Sequence, residues 1–165
     1  MTAPAPDLFR IAMSRFASGV TVVSTVQGGI DHAMTASAFT SVSLDPPLVL
    51  VCVDKTTRFH QAVALARYWG VSILAGSQLP EAHSLAVRGR PLPGQLDAFP
   101  HRRGEHTGVA LLEHALCRLE CRTWEMYDGG DHTIVVGQVL SLEAGVDDEA
   151  PMVYFRGEFD SLDNG

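Results

Sequence analysis

Apolar positions along this chain follow two periods, a helical one in three short segments and a strand-like one in most of the rest. The first helix is predicted near the start, where Asp7 is placed to cap it and Gly19 to end it. Its apolar stripe consists of Phe9, Ala12, Met13 and Phe16. A second helix is predicted after a cap at Thr56 or Thr57, and a third over residues 77–87. The stripe of the second helix consists of Phe59, Ala62, Val63 and Ala66.

The strand-like segments are short and are separated by turn-forming residues. Strands are predicted at Val20–Val26, from Ala33 onward, and at Leu48–Val53, Trp69–Ala75, Ala115–Met126, His132–Glu143 and Met152–Phe159. Gly28-Gly29 is typical of a tight turn, Pro46-Pro47 interrupts a strand, and the Asp-Gly-Gly-Asp sequence at 128–131 predicts an antiparallel hairpin. The pattern therefore predicts six to seven strands with three helices.

This spacing favours a mainly β domain, because hairpins dominate and a strand-helix-strand series is missing. No Gly-x-Gly-x-x-Gly sequence follows a predicted strand, which argues against a Rossmann dinucleotide domain. A closed or nearly closed barrel suits many short strands, since closure removes exposed edges. We expect residues 1–8 to form a disordered tail and residues 9–160 to form one domain, in which residues 90–108 form a long loop that is functional or mobile.

Composition and charge limit the classes of partner. The 165 residues are 46% apolar and 19% charged, as in ordinary globular proteins, and the net charge of −7 argues against binding to nucleic acid or to an anionic membrane. No apolar run approaches the roughly 18 residues of a membrane span. The N-terminus also lacks a basic-then-apolar signal sequence, so we expect a cytoplasmic protein.

The cysteines fit the same expectation. Cys117 and Cys121 lie four residues apart in one predicted strand, which separates them by roughly 13 Å and excludes a disulfide between them. We interpret both, and Cys52 within an apolar strand, as buried apolar residues. The seven histidines form no metal-binding motif, so no metal site is predicted.

The segment Met34–Val63 is the most informative part of the chain. It surrounds an extended apolar run with the hydroxyl side chains of Thr35, Ser37, Thr40, Ser41, Ser43, Thr56 and Thr57. Short hydroxyls and backbone amides can line a flat heteroaromatic ring, while a helix start at Thr56-Thr57-Arg58 can bind a phosphate through free N–H groups. A Thr- and Ser-rich hairpin with an ordinary helix cap accounts for the same residues without any ligand.

Six blocks of sequence resemble one known family in the order in which they occur. These blocks are FRIAMSRFASGVTVVST near the start, the segment Met34–Val63, WGVSIL at 69–74, LECR at 119–122, GGDHTIVVGQV at 129–139 and MVYFRGEF at 152–159. Together they resemble the flavin reductase-like domain family, the reductase components of two-component flavin-dependent monooxygenases. The resemblance implies a split β-barrel of the Greek-key, FMN-binding type with flanking short helices, usually a homodimer.

The resemblance also implies a set of flavin-binding residues. They are Thr35, Ala36, Ser37, Ser41, Ser43, Val51, Cys52, Val53, Thr56, Thr57, Arg58 and Arg88. Residues 35–37 would follow the isoalloxazine mainly through backbone groups, and residues 51–53 would line its other edge. Thr56, Thr57 and Arg58 would meet the phosphate, with Arg88 as a second phosphate or adenosine contact. An exposed arginine at the end of a helix is the alternative for Arg88.

For the reductant, the resemblance points to the Gly-Gly-Asp-His turn. His132 would contact the dinucleotide and Asp131 would fix the turn or the imidazole, whereas a lone turn of this composition is first of all a good hairpin. Tyr154 and Phe155 could supply an aromatic surface near the nicotinamide or flavin, and core packing in a strand is their alternative.

The implied function is an NAD(P)H:flavin oxidoreductase. It would use NADH or NADPH to reduce FMN or FAD and would release the reduced flavin to a partner monooxygenase. Hydride transfer between two cofactors needs little acid–base catalysis, so no catalytic side chain is expected. The alternatives are an oxidase of the pyridoxamine-phosphate-oxidase type with tightly held FMN and a non-catalytic flavin-binding module.

Overall fold

The computed structural model describes residues 2–92, 94–145 and 148–162. Within these ranges the helices are α1 (Pro6–Met13), α2 (Arg58–Leu65) and α3 (Leu79–Ala86), and a short 3-10 turn, Gly76–Gln78, precedes α3. The strands are β1 (Ser18–Gly19), β2 (Thr21–Gln27), β3 (Ile30–Ala36), β4 (Phe39–Leu44), β5 (Pro47–Asp54), β6 (Tyr68–Ile73), β7 (His101–Arg103), β8 (Ala110–Leu112), β9 (Cys117–Gly129), β10 (His132–Ala144), β11 (Met152–Phe155) and β12 (Glu158–Ser161). The prediction of a mainly β domain is confirmed.

One antiparallel sheet carries the architecture. Its seven strands run in the order β3-β2-β6-β9-β10-β5-β4, so β3 and β4 lie at its two edges. These two strands are consecutive in the chain and are joined by Ser37 and Ala38, and the Cys52 amide donates to the Ala38 carbonyl at 2.9 Å. The sheet therefore curves so that the end of β3 comes close to the start of β4 at this corner.

The main core lies inside the curved sheet. Val51, Val53 and Val135 from neighbouring strands are fully buried there with Trp69, and α2 covers them with Phe59. Gly137 on β10 leaves room for the indole, since a Cβ at this position would lie 2.4 Å from Trp69 Cζ2. A second cluster packs α3 against β2 and β8 through Val22, Leu85 and Leu112.

Four predictions about the elements are corrected. The first helix begins at Pro6, with Ala5 as N-cap, and ends at Met13, so Asp7 lies in its first turn and Gly19 lies in β1. The segment at 90–108, predicted as a loop, contains β7, which pairs with β8 through Arg102 opposite Leu111. Neither of these three-residue strands is long enough to show a strand-like alternation in the sequence. The strand predicted at Met152–Phe159 is a hairpin, since Arg156 and Gly157 take positive φ angles of 52° and 89° and turn the chain. The run from Ala33 onward is two strands, β3 and β4, that belong to opposite edges.

Helix α1 has no buried residue, although its sequence is amphipathic. Leu8, Phe9, Ile11, Met13 and the following Phe16 are between 50% and 72% exposed. An apolar face of this extent is typical of a surface that another molecule covers. No helix in the described part of the chain is long and apolar enough to cross a membrane.

Candidate functional site

A cavity of about 540 Å³ opens between the edge of β3, the end of β5, the start of α2 and the end of α3. Its lining residues come from segments far apart in the chain. They are His32, Ala33, Met34, Thr35, Ala36, Ser37, Ala38, Cys52, Asp54, Thr56, Thr57, Arg58, Phe59, Leu85, Ala86, Val87, Arg88, Gly89, Arg90, Leu92, Gln95 and His132. A volume of this size is within the usual range of ligand and cofactor sites.

The edge strand β3 presents backbone groups to the cavity. The Asp31 carbonyl accepts a hydrogen bond from Gln95 Nε2 at 2.7 Å, and the Ala33 carbonyl accepts one from Arg90 Nη2 at 2.6 Å. Both carbonyls therefore point away from β2. Because backbone direction repeats every second residue along a strand, the amide and carbonyl of Thr35 also point away from β2. The Thr35 hydroxyl donates to the Ala82 carbonyl at 2.8 Å and ties the strand to α3. Thr35 therefore offers a ligand its backbone, while its side chain holds the wall of the cavity.

The opposite wall comes from the end of β5, where side chains alternate between the core and the cavity. Val51 and Val53 are fully buried in the core, whereas Cys52 is half-buried and lines the cavity. The interpretation as buried apolar residues is therefore wrong for Cys52 and also for Cys117, which is only partly buried, whereas Cys121 is buried as predicted. Burial raises the pKa of the Cys52 thiol, so the side chain presents a neutral surface to a ligand at neutral pH.

Asp54, directly after this wall, organises the polar end of the cavity. Its carboxylate accepts hydrogen bonds from the Thr56 amide at 2.8 Å, the Thr56 hydroxyl at 2.7 Å and Arg88 Nη2 at 2.7 Å. The bonds from Thr56 and then that from Arg88 hold the pKa of Asp54 well below its ordinary value of 3.8. The network connects the end of β5 to the residue two positions beyond α3.

This network predicts a pH-dependent contribution to stability. Since folding lowers the pKa of Asp54, its carboxylate stabilises the fold above the ordinary value of 3.8, and this contribution is lost as the pH falls through the lower pKa of the folded state. Asp54→Asn should therefore reduce the free energy of unfolding by about 1 kcal/mol at pH near 7, and by progressively less in acid. Denaturant unfolding of both proteins from neutral to acid pH measures this difference. A constant difference across the range would contradict the ionised network.

The start of α2 contributes amides and a guanidinium. Thr57 is the N-cap, since its hydroxyl accepts from the His60 amide at 3.2 Å and donates to the Asp54 carbonyl at 2.8 Å. This settles the choice between Thr56 and Thr57. Arg58 is the first helical residue, is exposed, and donates through Nη2 to the Arg90 carbonyl. Amides of the first turn together with a guanidinium suit an anionic group.

Three arginines in the described part of the chain line the cavity, and two of them reach its polar end from the ends of different helices, while Arg90 follows α3. Arg58 comes from the start of α2, and Arg88 follows the end of α3 with its guanidinium bound to Asp54. His32 on β3 lies in the same wall, and burial together with the nearby Arg58 lowers the pKa of its imidazole. His32 therefore adds no charge at neutral pH, and the polar end of the cavity is electropositive because its described lining residues include three guanidinium groups and the single carboxylate of Asp54.

The turn between β9 and β10 brings His132 to the cavity. Its Nδ1 lies 2.7 Å from a carboxylate oxygen of Asp131, and its side chain is 41% exposed. Lys55, next to Asp54, fixes the turn with two hydrogen bonds. Its amide donates to the Asp131 carbonyl at 3.1 Å, and its Nζ donates to the Gly130 carbonyl at 2.6 Å. With Nδ1 engaged, Nε2 is the ring nitrogen that His132 can present to a ligand.

The structure brings together nine of the sixteen sequence-predicted site residues in this cavity. These are Thr35, Ala36, Ser37, Cys52, Thr56, Thr57, Arg58, Arg88 and His132. Asp131 is outside the lining and touches His132, in agreement with its expected role toward the imidazole.

The other predicted residues have their side chains elsewhere. Val51 and Val53 face the core, and Ser41 and Ser43 lie along the edge strand β4 outside the cavity lining. Tyr154 and Phe155 lie on the three-stranded sheet β1-β11-β12, where the Tyr154 ring packs 5.3 Å from that of Phe159. For Tyr154 the structure therefore favours the packing alternative.

Sequence reasoning missed Asp54, His32, Arg90 and Gln95 among the lining residues. The spacing of Asp54 and Thr56 is that of a turn in which an aspartate accepts from the amide two residues later, and this local signal could have identified Asp54. His32, Arg90 and Gln95 carry no such signal, because their positions depend on the packing of the segment after α3 against β3.

The comparisons with known proteins agree with this geometry. The model of the flavin reductase like domain matches residues 13–163. An NADH-dependent flavin reductase of a Rhodococcus species is 43% identical over 161 residues, which are 96% of this chain and 87% of the relative. The reductase component of 4-hydroxyphenylacetate 3-monooxygenase from Thermus thermophilus is 40% identical, over 91% of this chain and 92% of the relative. The crystal structure of the flavin reductase component of a bacterial two-component tryptophan halogenase superposes with a TM-score of 0.89 at 44% identity, covering 96% of this chain and 98% of that one.

The mainly β fold and the relatives together place this chain among flavin-dependent oxidoreductases. This chain belongs to the flavin reductase like domain family. The resemblance recognised in the sequence is thereby confirmed, and so is the expected class of enzyme, an NAD(P)H:flavin oxidoreductase, since the Rhodococcus relative is an NADH-dependent flavin reductase.

Proposed function

We propose that this chain reduces oxidised FMN or FAD with NADH, or with NADPH, and releases the reduced flavin to a separate flavin-dependent monooxygenase. The observation that supports this most is a single cavity that joins the outward-facing backbone of Thr35, the start of α2 with Arg58, and the imidazole of His132. The first two features suit the ring and the phosphate of a flavin nucleotide, and the third suits a second nucleotide.

The flavin ring would lie along residues 35–37, with Cys52 on the facing wall. The free amide and carbonyl of Thr35 match the donor and acceptor atoms at the polar edge of an isoalloxazine. Because the Thr35 hydroxyl is engaged with Ala82, recognition at this position falls to the backbone. Val51 and Val53 support this wall from inside the core, so their contribution is to the position of Cys52.

The flavin phosphate would lie at the start of α2. Helix amides near Thr57 and the guanidinium of Arg58 provide donors and positive charge there, and Arg88 adds a second guanidinium. Arg88 donates to Asp54 at 2.7 Å, and this bond restrains its exposed guanidinium near the helix start. An adenylate, in the case of FAD, would extend toward Arg88 and the residues that follow α3.

The reductant would approach from the side of His132. Asp131 accepts from Nδ1–H, so Nε2 of the neutral imidazole is an acceptor that suits the carboxamide NH2 of the nicotinamide nucleotide. Hydride transfer itself is chemistry of the two cofactors, so this chain contributes alignment of the rings and exclusion of water. Four predicted residues could contact a ligand only where it extends beyond the cavity. They are Ser41, Ser43, Tyr154 and Phe155.

The remaining proposals concern architecture and location. We propose that residues 9–160 form a split β-barrel domain, in which the corner at Ser37 and Ala38 brings the two sheet edges together. Free cysteines at 52, 117 and 121 fit a reducing, cytoplasmic compartment.

We also propose a homodimer, since the apolar face of α1 has no partner within the described part of the chain. A second copy supplies an equally apolar face and satisfies both surfaces by two-fold symmetry. Light scattering at micromolar concentration should give twice the chain mass, whereas an active monomer would contradict the proposal. Phe9→Glu should shift the mass toward the monomer, while Leu65→Glu, at an exposed residue at the end of α2, serves as the matched control.

A further inference from the structure

The guanidinium of Arg90 links three elements that form the cavity. Its Nη1 donates to the carbonyls of Leu85, at 2.7 Å, and Val87 at the end of α3. Its Nη2 donates to the Ala33 carbonyl on β3 at 2.6 Å and to Gln95 Oε1 at 3.0 Å. One side chain therefore sets the separation between the β3 wall and the α3 wall.

The backbone of Arg90 contacts the phosphate end of the site. Its carbonyl accepts from Arg58 Nη2, so the position of Arg58 depends on where the segment after α3 is held. Arg88, two residues earlier in the same segment, donates through Nη2 to Asp54 at 2.7 Å. Arg58 is thus bonded to Arg90, and Arg88 belongs to the segment that Arg90 fastens to β3.

The cost of placing Arg90 here indicates that its position matters. The Nε atom is buried and has no hydrogen-bond partner among the described residues. Burial, and secondarily the nearby Arg58, lower the pKa of its guanidinium. Burying a donor without an acceptor is unfavourable, and the four contacts of the two Nη atoms offset this cost. An arginine whose only task was solubility would lie in solvent.

We propose that Arg90 is a positioning residue for flavin phosphate recognition, which it serves by preorganising Arg58 and Arg88. This inference rests on the proposed binding of flavin at the cavity. Without Arg90, the two arginines must be ordered when the phosphate binds, and each newly ordered side chain weakens binding by roughly 2- to 10-fold. Riboflavin has no phosphate, so its affinity depends on Arg90 much less.

The test compares FMN with riboflavin on the same folded preparations. Flavin fluorescence titration gives the two dissociation constants, and their ratio is the phosphate preference. Arg90→Met should lower this preference by about 5-fold or more, with a smaller change for Arg90→Lys, which keeps the charge but cannot reach three elements at once. The KM for NADH, measured at saturating flavin, should stay near the wild-type value.

Arg103→Met is the matched control. Like Arg90, Arg103 follows α3 in the chain and binds to β3, since its Nη2 donates to Asp31 Oδ2 at 2.7 Å. Unlike Arg90, it does not line the cavity. Its replacement should leave the phosphate preference unchanged, even where the melting temperature falls as much as in Arg90→Met.

The measured phosphate preferences test the role of Arg90 in three ways. A lower phosphate preference in the Arg90 variants alone supports the inference. An unchanged phosphate preference in folded Arg90→Met overturns the inference. If Arg90→Met does not fold, an unchanged preference in Arg90→Lys overturns it instead. An equal loss of phosphate preference in Arg103→Met also overturns it. A wild-type protein that binds FMN and riboflavin equally well would overturn the phosphate site itself and the role of Arg90 with it.

Discussion

Replacing Arg58 with alanine is expected to weaken the binding of FMN and FAD about 10- to 150-fold and that of riboflavin far less. A charge-assisted contact contributes on the order of 1.5–3 kcal/mol, and only the nucleotides carry the phosphate that makes it. Arg58 is exposed and is the first residue of α2, so it can reach an anion at the helix start. Its hydrogen bond to the Arg90 carbonyl occupies one of five donors and leaves the others for the phosphate.

Arg67→Ala is the control for this prediction. Arg67 lies beyond the other end of α2, where its guanidinium stacks 5.5 Å from the centre of the Tyr68 ring, outside the cavity lining. The two variants change net charge equally, so any general electrostatic effect on flavin anions appears in both. Equal losses for riboflavin and FMN in Arg58→Ala would assign the residue to folding or to another ligand.

The second large effect is expected at His132. If Nε2 holds the nicotinamide nucleotide, His132→Ala should lower the catalytic efficiency toward NADH roughly 10- to 100-fold, which corresponds to the loss of one or two hydrogen bonds. Binding of oxidised flavin should change little, because flavin is recognised by the β3 backbone and the start of α2. NADH kinetics and flavin fluorescence titration on one folded preparation measure both quantities.

A structural role for His132 would give a different pattern. The melting temperature would fall while the kinetics of the folded fraction stayed near normal, and the Gly-Gly-Asp-His turn would then be structure alone. His106→Ala provides the comparison, since His106 is exposed on the segment before β8 and lies outside the cavity.

The sequence predicted the site best where local chemistry determines geometry. Thr57 caps α2, Arg58 opens it, and the tight turn delivers His132, and in each case adjacent residues fix the position. Alternation along β5 could have separated Cys52 from its neighbours Val51 and Val53, since successive side chains of a strand face opposite sides. Arg90 could not be predicted, because its partners on β3 and α3 meet only in the folded chain.

For the fold too, features that neighbouring residues determine could be predicted, whereas features that depend on tertiary contacts could not. Periodicity located β5, β6, β9 and β10, whose apolar residues recur regularly. The short strands β1 and β7 carry too few residues for a period to appear, and β1 pairs with the distant strand β11. The pairing of β3 with β2 and of β4 with β5 at opposite edges of one sheet is a tertiary property, although β3 and β4 follow each other in sequence.

The central claim is that flavin is a substrate which NADH reduces in the cavity between β3, α2 and α3. The most direct measurement is NADH oxidation by the dialysed protein, followed by absorbance with riboflavin, FMN or FAD added in parallel. We expect no NADH consumption without flavin, turnover with added flavin, and a lower KM for the nucleotides than for riboflavin. A protein that stays yellow after extensive dialysis and consumes no NADH with any flavin would contradict the account and favour a flavin-dependent oxidase or a flavin-binding module.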